Sequence, residues 1–416
     1  MRATSRDYER PYRPAPIALA NALGRAAARA GLAASLDEAR LLASARRRAR
    51  LADFGAPGFR APLRALLAAL EGEAQLHPIG RAMLGQILRR QLESRLRITA
   101  LCARHPEIEA RRVERPVFIV GLQRTGTTLL QRLLALHPAL RGLASYESIS
   151  PAPLRDRPLR PGERDPRIRL ARVAERAARY MAPDFAAIHP IVAEGNEEDS
   201  LLFDPSFYST TAEALANVPS FTQWLAQADH RAAYAEYRRA IQVLLWQRPG
   251  RWLGKTPLHL EHLGLLLETF PDARILHTHR DPVETVASLC SMIAHGRGFF
   301  SDRVDPRAIG AQWFARTQRM LERGLAARER AGDAAFLDVS YRGLLEDPLG
   351  QIRSIGEFVG APPGAETLGA MRSFLRAHPQ HEHGRHRYAL GDFGLSRGEL
   401  SSAFAGYRSR FGFKQD

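Results

Sequence analysis

Hydrophobic positions recur at helical spacing from residue 15 to about residue 105, where Ala and Leu share short turns with Arg. The pattern breaks between Gly55 and Gly58 and again near His77 to Gly80, so several separate helices are predicted. A polar stretch, ARHPEIEARRVER, ends this region. Beyond it the period changes. Residues 117–120 form a short continuous apolar run suited to a strand buried on both faces. Similar runs lie at 251–254, 274–279 and 335–340, with helical patterns between them. Strand alternating with helix predicts an α/β fold, a parallel sheet flanked by helices, spanning residues 113–416 behind a helical region over residues 1–112. In such sheets ligands bind beyond the carboxyl ends of the strands, so the residues that follow each run are the ones to read for chemistry.

The first run continues into PVFIVGLQRTGTTLLQRLLALHP, residues 116–138, an apolar strand leading through a glycine-bounded loop into an amphipathic helix. Gly121 and Gly126 free the backbone so that successive N–H groups and the helix N-terminus can face a phosphate. Nucleoside triphosphatases place a Lys after the second glycine, on the terminal phosphates. Here Thr127 holds that position, followed by Thr128, and a cation stands earlier, at Arg124. The loop suits a phosphate-bearing donor without provision for magnesium and a γ-phosphate.

The residues RTGTTLL, preceded by FIVG and followed by a Leu-rich helix ending in HP, resemble the 5′-phosphosulfate loop of the sulfotransferases. The likeness is to the bacterial branch related in pattern to tyrosylprotein sulfotransferases. It implies transfer of a sulfuryl group from 3′-phosphoadenosine 5′-phosphosulfate to an acceptor hydroxyl or amine, with Arg124, Thr125, Gly126, Thr127 and Thr128 on the 5′-phosphosulfate and no metal. Arg280 immediately follows the run RILHTH, and Ser288 lies eight residues further along a predicted helix capped by Asp281 and opened by Pro282. This pair matches the family's 3′-phosphate ligands, and a guanidinium and a hydroxyl both donate to a dianion. Pairing of Arg280 with Asp281 or Glu284 is the competing structural role. Lys255, in WLGKTPLHL, resembles the active-site Lys that stabilises charge on the departing 5′-phosphate.

Deprotonation of an acceptor hydroxyl calls for a base. The resemblance places it at Glu147 in SYES, with His189 and His259 as alternatives. It also implies nucleotide contacts from Tyr341, after AFLDVS, and from Arg385 and Arg387 in HEHGRHRYALGDFGL, although the Arg-Lys-Gly triplet of the cytosolic enzymes is missing. A strand-end Tyr is equally a packing residue. The acidic cluster EGNEEDS, residues 194–200, has two readings, the lining of an acceptor pocket and the first turn of a helix before the apolar LLF, and the second is favoured.

Composition narrows the remaining classes. The chain has 416 residues, 45% of them hydrophobic, enough for one large core with a helical accessory region. No apolar run is long enough for a membrane span, and MRATSRDYERPYRPAP lacks the apolar core of a secretion signal, so a cytoplasmic protein is expected. Cys102 and Cys290 are too few for a disulfide framework or a zinc site. The formal charge of +16 raises a nonenzymatic nucleic-acid-binding protein as a rival, alongside a P-loop nucleotide kinase. The densest basic block, residues 154–179, mixes nine Arg with Asp156, Glu163, Asp165 and Glu175 and reads as a solvated loop and helix face. Of the 60 basic residues 58 are Arg, so a Lys at 255 suggests a site that needs a compact ammonium. Sugar, lipid, phenol and peptide acceptors all stay open.

Overall fold

A computed structural model describes the chain apart from residues 1–5, 33–34, 156, 161, 191, 380–386 and 414–416. Among the described residues five parallel strands form its sheet: β1 (Val117–Gly121), β2 (Leu140–Gly142), β3 (Arg251–Lys255), β4 (Arg274–His279) and β5 (Phe336–Ser340). Their order across the sheet is β2-β3-β1-β4-β5. The four expected strands fall on their apolar runs to within a residue at each end. The three-residue edge strand β2 carries no run of its own and was not foreseen.

VFIVG is buried at all five positions because β1 lies at the centre of the sheet, with helices covering both faces. Val117 and Ile119 pack with Leu130, Leu133 and Val339 on one side, whereas Phe118 and Val120 pack with Tyr237, Trp252 and Phe270 on the other. After β1 the chain runs outward to β2, returns to β3, and then crosses β1 to reach β4. The crevice at the carboxyl end of β1 is therefore the switch point at which such sheets take their ligands.

Helices Glu38–Ala49, Arg60–Gly72 and Pro78–Arg104 form the predicted N-terminal helical region. Their apolar faces do not close on themselves. Leu63, Leu66, Leu88 and Leu92 share one core with Phe207, Val218, Phe221 and Leu225, which lie between β2 and β3 in the chain. The N-terminal helices and the segment after β2 are thus halves of one packing unit beside the sheet.

Candidate functional site

The turn after β1 is built as an anion cradle. Gly121 (φ 146°), Arg124 (φ 68°) and Gly126 (φ 87°) all take positive φ, which turns successive amides inward before the helix Thr127–Leu134 begins. Its first N–H groups have no intrahelical acceptor and are available to an anion. A Cβ on Gly121 would overlap the hydroxyl of Thr278 and stand 2.6 Å from its carbonyl, and one on Gly126 would stand 2.9 Å from the Tyr341 ring. Thr125 serves the loop rather than its mouth: its buried hydroxyl donates to the Leu122 carbonyl at 2.6 Å and meets the Thr278 hydroxyl at 2.7 Å.

Side chains from β4 and its helix close on the same turn. Asp281 accepts from the Val283 N–H at 3.0 Å and caps the helix Pro282–Gly298, which carries Ser288. Arg124 Nε donates to Ser288 Oγ at 3.2 Å, and Arg280 Nη1 donates to the Arg124 carbonyl at 3.1 Å. Arg280 also bonds Glu284 at 3.0 Å and lies 4.3 Å from the centre of the Tyr341 ring. Burial, with Arg280 adding to it, lowers the pKa of Arg124, so a bound anion would relieve two neighbouring cations. The structure brings Arg124, Gly126, Arg280, Ser288 and Tyr341 together. Arg387 is exposed, and Arg385 lies outside the described residues.

A cavity of about 480 Å³ opens beside this cradle, lined at one end by Gln123, Arg124, Thr127 and Thr128. Glu197, Glu198 and His189 stand on its polar wall, and Ile87, Ile149, Phe185, Leu289, Met292 and Trp313 supply much of the remainder. His189 Nε2 lies 3.5 Å from Glu197 Oε1. Burial alone would lower the His189 pKa, but the hydrogen bond and charge of Glu197 outweigh it and raise the group. Burial likewise opposes the Glu197 charge, yet His189 holds its carboxyl down at about 2. Glu198 Oε1 accepts from Lys255 Nζ at 2.7 Å, so Lys255, itself buried, meets the cavity through this carboxylate.

For the acidic cluster the sequence favours a helix start over a pocket lining, and the structure shows both. Asp199–Ser206 is a 3-10 helix, but the two residues before it face the cavity, and the edge strand β2 explains why. The Glu197 N–H donates to the Leu143 carbonyl at 2.9 Å and Gln131 Nε2 donates to the Glu197 carbonyl at 2.9 Å, tying the segment across the top of the sheet. Nothing in local spacing carries that contact.

Glu147 is placed differently from the cavity wall. It is 2% exposed, its Oε1 accepts from Arg141 Nη2 at 2.8 Å, and its Oε2 accepts from the Ala144 N–H at 3.0 Å. Its neighbours Ser145 and Ser148 line the cavity instead. His259 is enclosed in the core, with Nδ1 2.9 Å from the Tyr234 hydroxyl and Nε2 3.2 Å from that of Tyr237. Both of its ring nitrogens are occupied, which takes it away from any acceptor.

Comparison with known proteins supplies the family. The profile described as the sulfotransferase family matches residues 116–364, which spans the cradle, the cavity wall apart from Ile87, and all five strands. The chain belongs to the sulfotransferase family. The crystal structure of sulfotransferase STF1 from Mycobacterium tuberculosis H37Rv superposes with a TM-score of 0.78 at 34% identity, covering 89% of this chain and 98% of that one. Sulfotransferase STF9 from Mycobacterium avium gives a TM-score of 0.83 at 28% identity, covering 91% and 98%. The omega-hydroxy-beta-dihydromenaquinone-9 sulfotransferase Stf3 of Mycobacterium bovis is 27% identical over 282 residues, 64% of this chain and 68% of its own length. Like its relatives, this sulfotransferase transfers a sulfuryl group, and 3′-phosphoadenosine 5′-phosphosulfate is the family's general donor. The positive-φ turn, with Arg124, Arg280 and Ser288 converging on it, fits a ligand carrying both a 5′-phosphosulfate and a 3′-phosphate.

Proposed function

We propose that this sulfotransferase modifies the hydroxyl of a lipophilic acceptor held in the 480 Å³ cavity by in-line displacement on 3′-phosphoadenosine 5′-phosphosulfate. The observation that carries the proposal is the lining of that cavity, a mostly apolar wall that meets the phosphate cradle at Arg124, Thr127 and Thr128. The relative from M. bovis, whose name specifies a hydroxylated menaquinone, supports an acceptor of this class.

The donor supplies the sulfuryl group and a phosphate leaving group. Arg124 and the amides of residues 126–128 are positioned to hold the 5′ side, and Arg280 with Ser288 the 3′-phosphate, with Tyr341 fixing the Arg280 guanidinium. Cations and N–H donors aimed where charge develops lower the barrier without a proton changing place. Lys255 acts through Glu198, whose carboxylate it holds in place at the cavity edge.

For the proton of the acceptor hydroxyl we favour His189 over Glu147. His189 lines the cavity, Glu197 raises its basicity, and contact through Nε2 leaves Nδ1 as the ring atom able to take a proton. Both oxygens of Glu147 are already bonded within the fold.

Calorimetry with 3′,5′-diphosphoadenosine, the nucleotide lacking its 3′-phosphate, and ATP with magnesium tests the donor. Tight binding of the first and weak binding of the other two are expected. Magnesium-dependent ATP binding without diphosphoadenosine binding would return the protein to the kinase reading. Sulfuryl transfer to long-chain alcohols, compared with sugars and hydroxylated peptides, tests the acceptor class. Preference for either polar class would overturn it.

A further inference from the structure

The helix Arg167–Met181 covers one side of the cavity with Ala171 and Ala174, and its buried side is made by Ile168, Ala171 and the half-buried Glu175 and Ala178. Adjoining that side around the helix lies a second apolar stripe. Leu170, Val173, Ala174 and Ala177 follow the spacing i, i+3, i+4, i+7, which puts them on one outward face. Leu170 is 42% exposed, Val173 59% and the neighbouring Tyr180 53%. A surface helix needs one apolar face to dock on its own protein, so the outward stripe is surplus to the fold.

The charge beside the stripe indicates what covers it. Arg169 and Arg176 flank it, are exposed, and form no ion pair among the described residues. The nearby acids are already engaged: Glu194 with Arg172 at 2.6 Å, and Glu175 with Arg179 at 2.9 Å. An apolar band edged by free guanidiniums and carrying an interfacial Tyr complements a layer that is hydrocarbon beneath and anionic above.

We propose that this helix is a docking face for an anionic lipid bilayer. Leu170, Val173 and Tyr180 enter the acyl boundary while Arg169 and Arg176 meet lipid phosphates. Since Ala174 belongs both to the stripe and to the cavity lining, docking brings the cavity mouth against the lipid surface. That an acceptor then enters from the bilayer rests on the lipophilic acceptor proposed above; the docking itself does not.

Co-sedimentation with vesicles of phosphatidylglycerol and phosphatidylcholine, against phosphatidylcholine alone, tests the face. The protein should pellet with the anionic vesicles and lose that binding as salt is raised. Two variants, Val173→Asp and the double change Arg169→Gln with Arg176→Gln, should each weaken it by roughly tenfold or more while diphosphoadenosine binding is kept. Equal binding of wild type to neutral and anionic vesicles, or variants that pellet like wild type, would overturn the proposal. So would a vesicle-free dimer that Val173→Asp dissolves, since the face would then belong to a second copy of the chain. Vesicle binding without sulfation of any long-chain alcohol would leave docking standing and remove only the acceptor reading.

Discussion

Glu147 stands two residues from the cavity-lining Ser145, yet its carboxylate works for the fold. It is paired with Arg141, and both side chains are almost wholly buried. Burial lowers the Arg141 guanidinium to about 10, and Nε and Nη1 of that group have no other partner among the described residues. Breaking a buried pair from one side strands the other charge, so Glu147→Ala should cost about 3 kcal/mol or more in urea unfolding. Glu147→Gln, which keeps an acceptor for the Ala144 N–H, should fall between wild type and Glu147→Ala in stability, with turnover per folded molecule unchanged. A correctly folded Glu147→Gln protein slowed by orders of magnitude would restore Glu147 as the base.

His189 should behave in the opposite way. His189→Ala should keep nucleotide binding and lose turnover by roughly 10²–10⁴. As the base it must be neutral, so kcat/KM should rise with pH through a midpoint above 6.5. Glu197→Gln removes the charge that raises the group, leaves burial to depress it, and should carry that midpoint downward. The same ion pair bears on stability. His189, raised on folding, contributes fully below 6.5 and loses that contribution as pH climbs through its raised pKa. Glu197, depressed on folding, contributes above 4.5 and loses it as pH falls towards 2. A pH–rate profile that Glu197→Gln does not move would detach the pair from catalysis.

At the scale of elements, the decisive unit is β1, its turn and the helix Thr127–Leu134. Three positive-φ residues within six positions make the turn, and only two of them are glycine. Arg124 accepts the unfavourable conformation with its carbonyl held by Arg280 and its side chain by Ser288. Gly126→Ala would add left-handed strain of about 1–2 kcal/mol and push against Tyr341, which also steadies Arg280. Its affinity for diphosphoadenosine should drop about tenfold or more while the unfolding midpoint changes little. Unchanged affinity measured by calorimetry would mean that the turn does not hold the nucleotide as proposed.

For the whole molecule, the N-terminal helices are structural partners of the site. Their core includes Phe207, Val218, Phe221 and Leu225, and Ile87 reaches the cavity itself. A fragment starting at residue 113 should therefore expose the apolar surface that Leu63, Leu66, Leu88 and Leu92 cover. It should aggregate or bind hydrophobic dyes, whereas the full chain melts in one transition. Leu92→Ala, at a fully buried position, should cost about 2–5 kcal/mol and reduce acceptor turnover through the same packing unit. A stable fragment that retains transfer to apolar alcohols would show that the boundary at 112 separates independent domains.

How much was legible follows from how local each feature is. β1, its turn and the Arg280–Ser288 helix are each specified by neighbours in sequence: an apolar run, glycines where φ turns positive, a cap followed by Pro. Backbone sterics and short-range hydrogen bonds settle such features, so the chain announces them before it folds. The partners of those residues are another matter. Glu147, Glu197 and Glu198 are the same chemical group, and the family resemblance pointed to the first. Glu147 meets Arg141 and Glu197 meets His189 within short stretches of chain, but which carboxylate faces the core and which the cavity depends on contacts just beyond β2, the Ala144–Asn196 bridge and the Glu197 N–H on the Leu143 carbonyl, between segments about fifty residues apart. The charge block at 154–179 shows the same division: its composition is local, but which side of its helix is left uncovered is decided only when Ile168 and Ala171 dock. Burial is a property of the assembled molecule, and it is burial that turns identical side chains into a structural pair, a basic dyad or an exposed face.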